Sequence, residues 1–335
     1  MSTVLWKTIP GTLLQDQLIP KTGGGYHPHL VDIYVPPVTT TRLLISLHGG
    51  GGSKEENALS IRATTTSTNI TAANVNWSLL SYWHVVVVIP QGQHANGITS
   101  AWNPNGANTE SASNPDGTAT WSNHFMWSGA DDVLFLQDLS DYLTAAYPGH
   151  GRNLCGVSNG GFMCNRAWYE LPNKYERMLT ISGCASDYYV AHPTLPATIR
   201  PFFSQIGYND DVLGVLNGSA GRGSHFYSDI WIQNSQQISV AGVDYPNLGQ
   251  WIGEFKQLQT RVNAYNTAHS LPPETVTVGD GVVTSVDIGT QTRWSYSGGK
   301  NVLQFLSYPD HSLLTHAQAT KDRAISVWMN FIINS

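Results

Sequence analysis

Leu154-Cys155-Gly156-Val157-Ser158-Asn159-Gly160-Gly161-Phe162-Met163 is the stretch that decides the fold. Leu154 to Val157 is an apolar run that reads as a short buried strand, and the residues from about Gly160 to Glu170 read as a helix. Between them stands G-x-S-x-G, the pattern that presents a serine on a tight turn above the end of a strand. Glycines are needed on both sides because a Cβ there would collide with the strand or the helix. The turn also places Ser158 at a helix N-terminus, whose positive end favours a developing anion.

Working outward, short apolar runs alternate with helical patterns. Leu30 to Val35 alternates like a first strand, and Leu43 to Leu47 is a continuous apolar run. Val85 to Ile89 (VVVVI) suits a strand covered on both faces. Ala130 to Tyr147 carries Val133, Leu136, Leu139, Leu143 and Ala146 at helical spacing, with Asp131 and Asp132 in its first turn. Met178 to Ser182, Phe202 to Ile206 and Val302 to Tyr308 read as further strands. Trp251 to Ala268 and Ala317 to Ile333 read as helices. This rhythm predicts an α/β fold with a mostly parallel central sheet flanked by helices, built as one domain over residues 1–335. Residues 91–129 and 213–250 break the rhythm. Both are turn-rich, and both carry aromatic residues, among them Trp102, Trp121 and Trp127 in the first and Phe226, Tyr227, Trp231 and Tyr245 in the second. They are expected to be insertions that wall a cleft.

A second motif, His48-Gly49-Gly50-Gly51-Gly52, follows the LLISL run directly. A glycine run lets backbone N–H groups approach a tetrahedral oxyanion, and the N–H after the serine is the usual partner donor. The expected donors are the backbones of Gly50 (with Gly51 as the alternative) and Asn159. Gly51 is also placed against the substrate. A phosphate loop is a poor fit, because no Gly-Lys-Ser/Thr follows.

A serine nucleophile needs a base, and the base needs an orienting acid, in the chain order Ser, acid, His. His311 follows the last strand and ranks first, with His316 second. His192 and His225 read as loop residues. Asp210 follows the strand Phe202 to Ile206 and ranks ahead of Asp211 and Asp187.

LHGGGGS, the helix ADDVLFL leading to GVSNGGFM, the G-x-x-D strand end and the late DHS together resemble the polyhydroxybutyrate depolymerase and feruloyl esterase family of α/β hydrolases, which includes acetyl-xylan-esterase-like members. The resemblance runs from about Val31 to the C-terminus. It implies an α/β-hydrolase fold and a serine esterase with Ser158 as nucleophile, Asp210 as acid and His311 as base. It further implies that Trp102, in SAWNP, lies near the substrate entrance. Two departures stand out: many relatives carry a cysteine in the oxyanion loop where this chain has Gly50, and Ala268 to Lys300 holds no cysteine.

Composition narrows the partners. Charged residues make up 12 % of the 335 residues and the formal net charge is −6, so no electrostatic grip on nucleic acid or an anionic membrane is expected. The low charge favours a secreted or extracellular protein, although MSTVLWKTIPG lacks the charged-then-apolar pattern of a signal peptide. Three cysteines cannot form a full disulfide framework; Cys155 and Cys184 read as buried thiols, with a bridge between one pair of Cys155, Cys164 and Cys184 as the alternative if the fold brings two together. His27-Pro28-His29 reads as plain surface, and no metal or organic cofactor is called for. The expected partner is an aryl, polysaccharide-linked or polymeric ester. The rival readings are an acyltransferase with the same triad and a carbohydrate-binding or structural module on the same scaffold.

Overall fold

Two runs of apolar side chains form the middle of the sheet. β3 (Arg42–Leu47) and β4 (Val85–Pro90) lie side by side and parallel, and their Leu, Ile and Val side chains are buried on both faces. The computed structural model describes residues 11–95, 98–102 and 131–183. Beyond these it describes the strands at 202–205, 238–240, 243–245, 286–288, 291–297 and 303–307, and the helical residues 328–329 and 332–333.

The other strands of the main sheet are β1 (Thr12–Pro20), β2 (Tyr26–Val35), β7 (Gly151–Val157), β8 (Arg177–Ile181), β9 (Phe202–Gln205), β12 (Val286–Ile288), β13 (Gln291–Ser297) and β14 (Leu303–Ser307). They run in the order β1-β2-β4-β3-β7-β8-β9-β14-β13-β12. The six strands from β4 to β14 are parallel to one another, while β1, β2, β13 and β12 join antiparallel. Two small hairpins, β5 (Gln93–Ala95) with β6 (Ile98–Ala101) and β10 (Ile238–Val240) with β11 (Val243–Tyr245), stand apart from it. Among the described residues the helices are α1 (Lys54–Ser60), α2 (Trp77–Tyr82), α3 (Asp132–Ala146) and α4 (Asn159–Glu170), with helical residues near the C-terminus that bury Trp328, Met329 and Ile332 in the core.

Register sets the site. Leu47 pairs with Gly156, and Gly156 pairs with Thr180. The C-terminal ends of β3, β7 and β8 therefore emerge together, where open parallel sheets gather ligand-binding loops.

The first strand departs from expectation. β2 starts at Tyr26, and its period of two buries His27 and His29 on the face turned to α3. His27 is 4 % exposed and His29 1 % exposed, so neither is a surface residue. Each meets a carboxylate of α3: His27 Nε2 lies 2.7 Å from Asp138 Oδ2, and His29 Nε2 lies 2.7 Å from Asp132 Oδ1. The buried stripe of α3 is thus Asp132, Phe135, Leu136, Asp138, Leu139, Ser140 and Leu143, while Val133 is half-buried and Ala146 exposed. Asp131 caps the helix by accepting from the Leu134 N–H. β1, an exposed edge strand, has no apolar alternation to reveal it. Its register shifts between Leu14 and Gln17, around Asp16 at φ 51°.

A third polar group is buried at β2. Lys54 Nζ reaches Asp32 at 2.7 Å, Asp16 at 3.0 Å and Glu55 at 3.1 Å. Burial opposes the ammonium charge, but these carboxylates outweigh it and raise the Lys54 pKa. Burial pushes the Asp32 carboxyl upward despite the hydrogen bonds from Lys54 and the Asp16 N–H. Cys155 and Cys164 are buried free thiols, raised by burial and so poor nucleophiles. Cys184 lies outside the described residues.

Burial also works against the Asp138 carboxylate. Two hydrogen bonds from Thr22 and one from the His27 ring outweigh it, and its pKa falls below the ordinary 3.8. A carboxyl with a lowered folded-state pKa stabilises the protein above its unfolded value, and that stability drains away as pH falls through the folded value. Asp138→Asn is therefore expected to lower Tm at pH 7 and to flatten the acid loss of stability. Thermal unfolding at pH 7 and pH 3 checks this; an equal acid loss in variant and wild type refutes it.

Candidate functional site

The site begins where β7 ends. Ser158 sits between β7 and α4 with φ 50° and ψ −121°, a conformation that non-glycine residues rarely adopt. Its N–H donates to Ile181 O at 2.8 Å and its carbonyl accepts from the Phe162 N–H at 2.9 Å, so the turn is held from both sides. The serine is 7 % exposed.

The flanking glycines are sterically required. A Cβ on Gly156 would lie 2.3 Å from Gly160 O, and one on Gly160 would lie 2.5 Å from His48 O and 2.6 Å from Leu47 O. Strand, helix and glycine loop approach more closely than any side chain permits. The loop in turn lies against the serine: a Cβ on Gly49 would meet Ser158 Cβ at 3.4 Å.

Within the loop, the N–H groups divide. Gly51 N–H donates to Ser100 O at 2.7 Å and Gly52 N–H to Gly49 O at 3.1 Å. Among the described residues nothing accepts from the Gly50 N–H. Gly51 has φ 74°, which turns the loop back toward β6.

His48 clamps this loop. Gly92 N–H donates to its Nε2 at 2.8 Å, so that nitrogen is an acceptor and the ring proton sits on Nδ1, which donates to Gly49 O at 2.7 Å. Gln91 stands beside the same Nε2 at 3.2 Å and accepts the Lys54 N–H at 2.9 Å, which links the clamp to the start of α1.

Trp102 joins the loop to the β7–Ser158–α4 turn, the elbow. Its backbone N–H donates to Asn159 Oδ1 at 2.6 Å, and its carbonyl accepts from Asn159 Nδ2 at 3.2 Å. Its indole Nε1 donates to His48 O at 3.0 Å. The ring is fully buried. Sequence reasoning assigned Asn159 only a backbone role and missed its side chain, and it took His48 only as the head of a glycine run. No local pattern could have shown these partners, since Trp102 is 57 residues from Asn159.

Asp210, Asp211, Asp187, His311, His316, His192 and His225 lie outside the described residues. The strands that precede Asp210 and His311 in sequence, β9 and β14, are parallel neighbours that point the same way as β7. Among the described residues no three His, Cys, Asp or Glu side chains form a metal-holding group. No described helix is long and apolar enough to cross a membrane.

No protein-family model and no curated protein matches this sequence. Among solved structures, the acetyl xylan esterase from Aspergillus awamori superposes with a TM-score of 0.51 at 12 % identity, covering 96 % of this chain and 100 % of that one. This chain has an α/β-hydrolase fold. The siderophore hydrolase EstA from Aspergillus nidulans superposes at a TM-score of 0.45 and 11 % identity, over 100 % of this chain and 97 % of that chain. FphF, a fluorophosphonate-binding serine hydrolase of Staphylococcus aureus, gives 0.43 and 11 %, over 98 % and 100 %.

Two glycines should separate space from conformation. Gly156→Ala is expected to destabilise by about 2–3 kcal/mol or more, because backbone rather than a flexible side chain blocks the new methyl. Gly51→Ala has nothing within 4 Å of its Cβ and should cost only the left-handed penalty of about 1–2 kcal/mol. Urea unfolding of both variants checks the ranking, and a reversed order refutes the steric account.

Proposed function

We propose that this protein is a serine hydrolase that cleaves carboxylic esters through Ser158. The observation that carries the reading is the elbow itself: a serine at φ 50° heads α4, with Gly49 of the glycine loop packed beside it. A strained, pre-set serine beside backbone donors is the arrangement acyl transfer needs.

In this reading Ser158 Oγ attacks the ester carbonyl while His311 takes its proton and Asp210 holds the imidazole. The oxyanion rests on the N–H groups of Gly50 and Asn159. Gly50 is preferred over Gly51 because the Gly51 N–H is already bonded to Ser100. His311 then protonates the departing alcohol, takes a proton from the water that attacks the acyl-enzyme, and returns it to Ser158 Oγ as the acyl–serine bond breaks and the acid leaves. Gly51 and Trp102 shape the substrate side, Trp102 through the backbone it anchors.

The aromatic content of residues 91–129 and 213–250 supports an aryl, polysaccharide-linked or polymeric ester. The motifs shared with the polyhydroxybutyrate depolymerase and feruloyl esterase family point the same way, and the fold neighbour with the TM-score of 0.51 is an acetyl xylan esterase. We take the chain as one domain in which those two segments are insertions.

Hydrolysis of a short-chain p-nitrophenyl ester at neutral pH, with chelator present, tests the proposal. Wild type should turn over and Ser158→Ala should lose about 10⁴-fold or more in kcat. Equal activity of the two proteins would remove Ser158 as the nucleophile.

A further inference from the structure

The buried ring stack beneath the elbow has a feature that stability does not explain. His29 lies face to face with Phe135 at 3.9 Å and 10°, and parallel to but laterally offset from Trp102 at 5.9 Å and 8°. Its Nε2 is paired to Asp132, but its Nδ1 is buried with no hydrogen-bond partner. Leaving a buried ring nitrogen unsatisfied is costly. A phenylalanine would fill the same slot without that cost. What a histidine adds is a directed bond: Asp132 is fixed at the head of α3, so its carboxylate sets the rotation of the His29 ring. That ring runs parallel beside the Trp102 indole, with Phe135 stacked on the one and neighbouring the other.

Trp102 passes the constraint on. One residue makes both the paired bonds to Asn159, at the head of α4, and the indole bond to His48 O, at the root of the glycine loop. These are the two sources of the donors assigned to the oxyanion. We infer that the Asp132–His29 pair is a positioning element that holds the oxyanion donors of Asn159 and Gly50 in register through the Trp102 ring. The inference rests on the serine-hydrolase reading above.

The neighbouring pair supplies the control. His27 and Asp138 are likewise a buried imidazole–carboxylate pair between β2 and α3, with Thr22 adding two further bonds to Asp138. The ring contacts of His27 are with His29 and Phe135, one ring removed from Trp102. Losing this pair should reduce stability and leave the elbow in place.

The test compares His29→Phe, Asp132→Asn and His27→Phe, each assayed well below its own Tm. Active sites are counted by stoichiometric labelling with an organophosphonate, and kcat and KM are measured separately on the p-nitrophenyl ester. His29→Phe keeps the ring and loses the bond. Its kcat per labelled site should fall roughly 10- to 100-fold, as sub-ångström to ångström misplacement does, with KM little changed. Asp132→Asn keeps an acceptor for Nε2–H and should retain most of the wild-type rate. His27→Phe should keep the wild-type kcat while unfolding more readily. If His29→Phe does not fold, Asp132→Ala reads the pair from its other side with the same loss expected. Wild-type kcat in the folded His29 or Asp132→Ala variant overturns the inference while leaving Ser158-dependent hydrolysis intact. A wild type whose hydrolysis is indifferent to Ser158→Ala overturns both readings together.

Discussion

The structure around Ser158 depends on the absence of two β-carbons. At Gly156 and Gly160, backbone atoms of α4, of the last residue of β3 and of His48 after it come within 2.3–2.6 Å of where a Cβ would stand. No adjustment of side chains creates that room, because the neighbours are carbonyl groups. The close approach has three consequences. It lets α4 start directly beneath Ser158, it forces the serine to φ 50°, and it brings the Gly49–Gly52 loop against the serine. Strain of this kind costs on the order of 1–3 kcal/mol. It persists because the ladder bond to Ile181 and the first helical bond from Phe162 hold the turn on both sides.

Around that contact the molecule spends polar groups on position. His48 has both ring nitrogens committed, one to Gly92 and one to Gly49, so the loop is fixed by a neutral imidazole of a single tautomer. Asn159 is engaged by the backbone of Trp102 in two bonds. The pairs of His27 with Asp138 and His29 with Asp132, and the bridge of Lys54 to Asp32, are buried. Buried pairs of this sort give little net stability over apolar replacements. They do fix the relative placement of β1, β2, α1 and α3, the elements on which the candidate site rests.

Much of the fold was legible because its signals are local or strongly periodic. VVVVI and LLISL are continuous apolar runs and fell where strands were expected, as did the β7–α4 junction and the last strand β14. β1 was not legible: exposed on the sheet edge and broken at Asp16, it shows no face. β12 and β13 extend the far side antiparallel in a stretch for which no strand was read. His27 and His29 were misjudged because the strand was begun at Leu30; extending the same alternation four residues earlier buries both. In α3 the expected stripe was right at Leu136, Leu139 and Leu143 and wrong at Ala146, since the carboxylates that face β2 count as buried positions and no hydropathy pattern includes them.

By itself, the sequence determined the elbow. Which residue sits on the turn, and why its neighbours are glycines, follows from steric limits acting over five residues. The glycine loop after β3 was legible in the same way, as a run of backbone with no Cβ to hold it off the turn. Only the tertiary structure decided how the donors in that loop are shared. Ser100 takes the Gly51 N–H, and Gly92, 44 residues away, sets the His48 tautomer. Trp102, 57 residues from Asn159, ties the elbow to the loop. A steric limit is a property of adjacent residues and can be read from their identities. A hydrogen bond needs a partner, and in this protein the partners come from strands and loops that only the packed sheet brings together.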